Sequence, residues 1–158
     1  MSGQGTVVSL HAAPSGGVPK GSVPFLVVGM DGCEGDLQRN KRHHGGPSRA
    51  VCLYAAERME ALRHEGHPIK PGSTGENVLI AGLDWSNLSA GDKLAVGEVV
   101  LRLTSEAPPC STIAASFTDG AFTRISGTVH PGWSRWYAAV ENEGTIVAGQ
   151  AVVLNSSA

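Results

Sequence analysis

The chain has 158 residues, 41% of them hydrophobic and 16% charged, a balance typical of one globular domain with a single hydrophobic core. Its formal net charge of −2 excludes an overall positive field that would draw it to nucleic acid or to an anionic membrane. Twenty-one glycines and nine prolines predict many tight turns and therefore a strand-rich architecture.

The first third of the chain alternates short apolar segments with glycine-rich turns. Strands are predicted at Thr6–Leu10 and at residues 23–29 and 50–54, where β-branched and apolar residues cluster. The polar stretch at 30–49 is predicted to be a long loop. Compact domains keep such a loop mainly where it binds something or is disordered.

One helix is predicted after the third strand, in the sequence AAERMEALRHEG. Ala55, Met59 and Leu62 fall on one face of a helix at this spacing, and Gly66 is a suitable C-terminal stop. No long apolar run follows a basic N-terminal region, so no signal peptide is predicted, and the run VPFLVVGM is too short to span a bilayer.

The second half of the chain is predicted to be mainly strands. Gly97-Glu98 is expected to form a hairpin tip, and the segment STIAASF a short helix that begins just after Cys110. A turn is predicted at ENEG. The predicted strands of this half are ENVLIAG, KLAVG, VVLRLT, RWYAAV, TIVAG and AVVLN.

Cys110 follows two prolines at the junction between a predicted strand and a predicted helix. Proline restricts its own φ and the residue before it, so the backbone leading to this thiol is stiff. Two interpretations are open, a reactive or metal-binding thiol and a small buried apolar side chain. Cys52 is expected in the core, and Cys33 in the polar loop is expected to be exposed without a role.

The three cysteines do not have the spacing of a disulfide framework. We therefore expect free thiols and a reducing, cytoplasmic setting. The histidines do not have the spacing of a zinc site, and no phosphate-binding or dinucleotide-binding motif is present. The basic loop, RNKRHHGGPSR, lacks the interleaved aromatic residues of a site for single-stranded nucleic acid.

The sequence RNKRHHGGPSR gathers cationic side chains around two glycines. One interpretation is an anion pocket, in which glycine lets the backbone approach a ligand and the cations meet phosphate or other oxygens. Lys20, in GVPK, would join this pocket from another loop. The alternative is a solvated basic loop, which we favour for Lys41 and Arg42. The loop's charged residues and histidines are Arg39, Lys41, Arg42, His43, His44 and Arg49.

Glu76 and Asn77 follow Gly75 where a turn enters a strand. Asn77 is a candidate to bond a heterocycle and Glu76 to accept a proton, but residues at such turns commonly brace the backbone instead. In SRWYAAV, Arg135 and Tyr137 point to the opposite strand face from Trp136. We expect one of these two faces to be packed and the other exposed.

Read in order, GVPK, GDLQRNKRHHGGPSRAV, GSTGENV, AGDKLAVG, PPC and RWYAAVENEGTIVAGQAVVL resemble the MOSC family, named after the C-terminal domain of molybdenum cofactor sulfurase. The similarity runs from about Thr6 to Leu154 and is strongest to small stand-alone bacterial members. It implies one domain over residues 1–158, with a core at about 6–154. The implied fold is mostly β with short helices, a twisted β-barrel.

The resemblance also implies a role in sulfur or molybdenum chemistry. Cys110 then carries sulfur as a persulfide or ligates the metal of the molybdenum cofactor (molybdopterin). The resemblance favours the cofactor pocket for Lys20, His44 and Arg49. Glu76 and Asn77 complete the set of candidate cofactor-binding residues. Relatives often have Pro-Arg shortly before the cysteine, where this chain has Glu106-Ala107.

Two classes of function follow from this reading. The first is a sulfur-handling or molybdenum-cofactor-binding protein, as an oxidoreductase that reduces N-hydroxylated compounds or as a sulfurtransferase. It implies a small-molecule substrate or sulfur donor, and a reductase would need a separate electron-donor protein. The second is a non-catalytic module that binds a small anion through the basic loop. A homodimer is compatible with either class.

Overall fold

A computed structural model of the chain describes residues 2–36 and 47–157. The described residues form one α-helix, α1 (Ala56–His64), and five short 3-10 helices, at Pro47–Arg49, Trp85–Asn87, Ser111–Ser116, Thr118–Gly120 and Phe122–Ile125. They also form eleven strands: β1 (Ser2–Ala12), β2 (Gly21–Ser22), β3 (Phe25–Gly29), β4 (Gly32–Cys33), β5 (Val51–Ala55), β6 (Val78–Ala81), β7 (Lys93–Val96), β8 (Val99–Ala107), β9 (Arg135–Asn142), β10 (Gly144–Val147) and β11 (Ala151–Asn155).

Seven of these strands close into a barrel in the order β1, β11, β7, β8, β9, β5, β6 and back to β1. The pairing of β5 with β6 is parallel, and the other pairings of the barrel are antiparallel. The mostly β architecture expected from the sequence is therefore confirmed. Closure leaves the barrel strands without open edges, which stabilises a β-rich domain of this size.

The barrel interior is filled by alternate residues of the strands. In β8, Val99, Leu101 and Leu103 have no exposed surface, and Val152 and Leu154 of β11 point inward in the same way. This period of two is the pattern of a strand with one face on a core. All five residues of β5 are buried, because segments outside the barrel cover its second face.

A smaller sheet in the order β10, β3, β4 lies beside the barrel. The four-residue turn predicted at ENEG is not observed: Glu141 and Asn142 end β9, Gly144 begins β10, and Glu143 alone separates the two strands. β10 then pairs with β3 from the other end of the chain rather than with β9. Phe25 and Val147 face each other across this pairing. Local sequence could not reveal a partner that is more than one hundred residues away.

The helix and hairpin predictions are confirmed. In α1, Met59 and Leu62 are buried as expected, and Gly66 follows the helix with φ of +97°, a conformation that glycine adopts without strain. Gly97 and Glu98 connect β7 to β8, with Val96 opposite Val99. No helix among the described residues is long and apolar enough to cross a membrane.

The 27 residues from 108 to 134 leave the barrel after β8 and return as β9; we call them the connecting segment. Its far end is anchored on α1, because the guanidinium carbon of Arg58 lies 4.6 Å from the ring centroid of Trp133. Arg124, within the segment, lies over the same ring at 4.0 Å. Arg124 also bonds both carboxylate oxygens of Glu65, at 2.9 and 2.8 Å. The near end of the segment carries Cys110.

Candidate functional site

Cys110 lies at the start of the connecting segment, three residues beyond the end of β8, and caps the 3-10 helix Ser111–Ser116. The helix predicted in STIAASF is therefore present, but as a 3-10 helix, which has weaker backbone hydrogen bonds than an α-helix. Cys110 is partly exposed, and its Sγ lies 2.8 Å from Oγ1 of Thr112. The thiol is held by a local contact and is open to solvent.

The other two cysteines are buried. Burial raises the pKa of the Cys33 thiol to about 12 and raises that of Cys52 as well, so both stay protonated at neutral pH. The core assignment of Cys52 is confirmed. The expectation that Cys33 is exposed is wrong, because Cys33 ends β4, and its Sγ packs against the carbonyl of Ala50. Cys110 is thus the one accessible thiol of the three.

Tyr137 and Arg49 lie on the outer face of the barrel next to Cys110. Tyr137 stands between Cys52 of β5 and Ser105 of β8 in the sheet. The guanidinium carbon of Arg49 is 5.3 Å from its ring centroid, within the range of a cation–π contact. Burial raises the pKa of the Tyr137 hydroxyl, and the Cys110 thiol is close enough to interact with it electrostatically. The face therefore combines a thiol, a phenol and a partly exposed cation.

Arg135 is buried under this face with 6% of its surface exposed. Its Nη1 donates to the carbonyl of Thr74 at 2.6 Å, and Nη2 donates to the carbonyls of Pro108 and Ala107 at 3.2 and 3.4 Å. Nε has no hydrogen-bond partner among the described residues. The prediction that only one face of this strand is packed is wrong: Arg135, Trp136 and Tyr137 are all buried, because the connecting segment and neighbouring loops cover the outside of β9.

Glu76 is fully buried and organises the loop before β6. Its carboxylate accepts hydrogen bonds from the backbone N–H of Gly72 and from Oγ1 of Thr74, both at 2.7 Å. Gly72 has φ of +83°, and a Cβ there would lie 2.1 Å from the carbonyl oxygen of Lys20. The observed contacts of Glu76 are therefore those of a residue that braces its own loop.

Asn77 is also buried and bonds three separate parts of the chain. Its Oδ1 accepts from the N–H of Cys52 at 2.9 Å, and its Nδ2 donates to the carbonyl of His11 at 3.1 Å and to Oδ2 of Asp36 at 3.0 Å. A carboxamide can satisfy such a mixed set because it has both a donor and an acceptor. Asn77 thereby joins β1, β5 and Asp36.

Lys20 forms an ion pair with Asp36 at 2.6 Å, and the Asp36 side chain has no exposed surface. Asp36 also accepts from the backbone N–H of Ala13 at 2.9 Å. The positive charge of Lys20 is therefore compensated within the protein. The role of Lys20 in an anion pocket stays a prediction, and its observed partner is the buried carboxylate of Asp36.

The structure brings the described candidates together around the outer face of β5 and β9. Arg49 and Cys110 lie at the surface of this region, while Glu76, Asn77 and most of Lys20 lie beneath it. His44 lies outside the described residues, as do Arg39, Lys41, Arg42, His43 and the two glycines between His44 and Pro47. The basic stretch is flanked by Asp36 on one side and by Pro47–Arg49 on the other.

Three residues that hold the loops of the site together were not identified as site residues from the sequence: Asp36, Thr74 and Arg135. Asp36 and Thr74 sit in polar turns, where such residues are common, so no signal distinguishes them. Arg135 offered one signal, an arginine inside an otherwise apolar strand. Among the described residues no three His, Cys, Asp or Glu side chains are grouped so that they could hold a metal ion.

Comparison with known proteins gives consistent results for the family and the fold. The MOSC domain model matches residues 40–153. The chain is 32% identical to the uncharacterised protein YflK of Bacillus subtilis over 117 residues, which is 73% of this chain and 52% of YflK. It is 30% identical to the protein YiiM of Escherichia coli over 107 residues, 65% of this chain and 48% of YiiM. The chain thus spans about half the length of these relatives.

Solved structures show the same fold. The YuaD protein of Bacillus subtilis superposes with a TM-score of 0.78 at 18% identity, covering 100% of this chain and 99% of that protein. YiiM from Escherichia coli superposes with a TM-score of 0.71 at 24% identity, covering 97% of this chain and 71% of that protein. At these identities the likeness extends to the fold.

Proposed function

The chain belongs to the MOSC domain family, and on that premise we propose that it binds the molybdenum cofactor with Cys110 as the ligand of the metal. The observation that carries this proposal is that Cys110 is the only accessible thiol, fixed at the edge of a face that also holds Arg49 and Tyr137. A thiolate is a ligand that soft transition metals prefer.

The donor set suits a cofactor better than a bare ion. A bare ion needs three or four protein ligands in one place, and the described residues offer no such group. A metal that arrives already coordinated by an organic group needs one further ligand, and Cys110 supplies one thiolate. When bound, the cofactor would supply two-electron redox chemistry.

The chain's own residues would bind and orient this group. Arg49, partly exposed above the Tyr137 ring, would meet an anionic oxygen of the cofactor. The Thr112 hydroxyl, 2.8 Å from the Cys110 sulfur, would help to orient that sulfur toward the metal. Lys20, Glu76 and Asn77 would hold the loops of the pocket in place, and His44 is proposed to line it from the basic loop.

As an enzyme of this kind, the protein would reduce a small N-hydroxylated compound with electrons from a separate donor protein. A cytoplasmic location is part of the proposal, since free thiols persist where the medium is reducing.

A second candidate uses the same atom, with Cys110 carrying sulfane sulfur as a persulfide. The exposure of Cys110 favours this candidate, because a carrier must meet both a sulfur donor and an acceptor. A third candidate, a non-catalytic anion-binding module, is favoured by Arg49. It requires that replacement of Cys110 leaves ligand binding intact while Arg49→Ala abolishes it.

Metal analysis tests the proposal directly. The protein, Cys110→Ser and Cys52→Ala are purified from a host that makes the molybdenum cofactor, and molybdenum per chain is measured. We expect metal in the parent and in Cys52→Ala, whose lost thiol is buried, and its loss in Cys110→Ser. Equally low molybdenum in all three proteins would refute the metal-binding proposal. Release of thiocyanate by cyanide from the parent, but not from Cys110→Ser, would then support the persulfide carrier.

A further inference from the structure

We infer that Arg135 is a positioning residue that holds the Cys110 backbone against the loop organised by Glu76. The inference rests on the proposed function, in which the Cys110 sulfur is the reactive group. The hydrogen bonds of Arg135 go to backbone carbonyls, so it acts through the peptide groups that lead to Cys110.

The first argument comes from how residues 108–112 are attached. The Cys110 sulfur contacts the Thr112 hydroxyl, and the Cys110 carbonyl accepts a hydrogen bond from the N–H of Ile113. Both partners belong to the connecting segment. The bond from Arg135 Nη2 to the Pro108 carbonyl, at 3.2 Å, ties residues 108–112 to the barrel. The diproline makes the lead-in stiff, so fixing the Pro108 carbonyl also fixes the direction in which Cys110 leaves the sheet.

The second argument is the shape of the guanidinium. One nitrogen, Nη1, reaches the Thr74 carbonyl, while the other terminal nitrogen reaches the two carbonyls at the end of β8. A planar guanidinium bridges two backbones with two separate nitrogens, whereas the three N–H groups of an ammonium share one nitrogen and do not span the same distance. Arg135 therefore couples two loops that are more than thirty residues apart in sequence.

The third argument is electrostatic. The described hydrogen bonds of Arg135 go to carbonyl oxygens, and no described carboxylate pairs with it directly. Thr74 links the buried charges instead, because its carbonyl accepts from Arg135 and its hydroxyl donates to Glu76 at 2.7 Å. A buried cation is retained where oriented dipoles and a nearby opposite charge offset its desolvation. Glu76 thus acts on Cys110 through Thr74 and Arg135.

The test measures how fast each cysteine of the folded protein is alkylated by iodoacetamide, resolved by peptide mass spectrometry. The variants are Arg135→Ala and Arg135→Lys, and Arg102→Ala is the matched control, an exposed strand arginine that bonds Glu141 at 3.1 Å. We expect both Arg135 variants to raise the Cys110 rate about tenfold, because loss of hydrogen bonds from a charged donor frees the segment. Cys33 and Cys52 should stay protected, and Arg102→Ala should match the parent.

Chemical rescue separates positioning from general stability. Methylguanidinium at millimolar concentration should return the Cys110 rate of Arg135→Ala toward that of the parent, while leaving Arg102→Ala unchanged. If Arg135→Ala unfolds, so that all three cysteines react, the lysine variant decides. An unchanged Cys110 rate in the lysine variant, or equal acceleration of all three cysteines there, would overturn the inference. The alkylation rates are measured on protein from a host that makes no molybdenum cofactor, so that the Cys110 sulfur carries no metal. Molybdenum measured in protein from a cofactor-producing host reports on the proposed function separately.

Discussion

Asn77 and Cys52 are joined by two hydrogen bonds that run in opposite directions. The backbone N–H of Asn77 donates to the Cys52 carbonyl at 2.7 Å, and the Asn77 side chain accepts from the Cys52 N–H at 2.9 Å. One residue thereby satisfies both backbone groups of Cys52 at the end of the parallel β5–β6 pairing. Because Cys52 lies beside Tyr137 in the sheet, this contact also fixes the part of β5 that lies next to Tyr137 in the candidate site.

Replacement of Asn77 by alanine should therefore destabilise the fold. It leaves the Cys52 N–H and the His11 carbonyl without the partners that Asn77 supplies, and a buried unsatisfied group costs about 1–3 kcal/mol. We expect the free energy of unfolding, measured with urea, to fall by about 3 kcal/mol. Asn87→Ala, which removes an exposed amide bonded to Asp84, should change it by less than about 0.5 kcal/mol. Equal losses in the two variants would contradict the bracing role of Asn77.

Lys20→Met should lower the free energy of unfolding, because it removes the cation that pairs with a buried carboxylate. The Asp36 side chain has no exposed surface, and removal of its cationic partner leaves a buried charge that costs about 3–5 kcal/mol. The control is Lys93→Met, which breaks the solvent-exposed pair with Glu141 and should leave the melting temperature almost unchanged, because water and salt screen exposed pairs. Thermal unfolding of both variants measures the difference. A melting temperature of Lys20→Met equal to that of the control would show that the ion pair contributes little.

Gly72→Ala should be far more harmful than Gly66→Ala, although both glycines have positive φ. A methyl group at position 72 meets the Lys20 carbonyl at 2.1 Å, whereas one at position 66 meets nothing within 4 Å. We expect a loss of about 1–2 kcal/mol at position 66 from the backbone conformation alone, and at least about 3 kcal/mol at position 72. Urea unfolding of the two variants checks this order, and the reverse order would contradict the packing around Glu76.

Stability should fall as the pH falls below about 6.5, in part because of His11. Burial lowers the pKa of His11 in the folded protein, so the unfolded chain takes up this proton at a higher pH than the folded chain does. Stability is therefore fully present above the unfolded value and is lost as the pH falls through the folded one. Urea unfolding at pH 7.5 and 5.5 measures the loss.

His11→Gln should lose less stability over the same pH interval than the parent does. His64→Gln, with an exposed side chain, should lose as much as the parent. A parent and a His11→Gln variant with the same pH dependence would exclude His11 as a source of the loss.

The three thiols should differ in reactivity in the native state. Iodoacetamide at neutral pH should label Cys110 alone, because Cys33 and Cys52 are buried and their raised pKa values keep them protonated. Peptide mass spectrometry checks this, and labelling in urea is the control in which all three should react. Labelling of Cys33 before Cys110 in the native protein would contradict the placement of the site.

Local sequence was enough to locate most of the elements. The period-two pattern of VVLRLT, the hairpin glycine at 97 and the helix stop at Gly66 each depend on a few neighbouring residues, and the structure confirms all three. The junction that carries Cys110 could be found in the same way, because the diproline and the following short helix are local features. The resemblance to the MOSC family also came from the order of motifs along the chain.

Tertiary structure decided what covers each element and what each polar group bonds. Burial of both faces of β9, the pairing of β10 with β3 and the burial of Cys33 depend on segments far away in the sequence. The same holds for Arg135, whose partners at Thr74 and Pro108 become neighbours only when the barrel closes. A buried charge is tolerated only where folding brings dipoles or an opposite charge to it, and no local pattern records that distance.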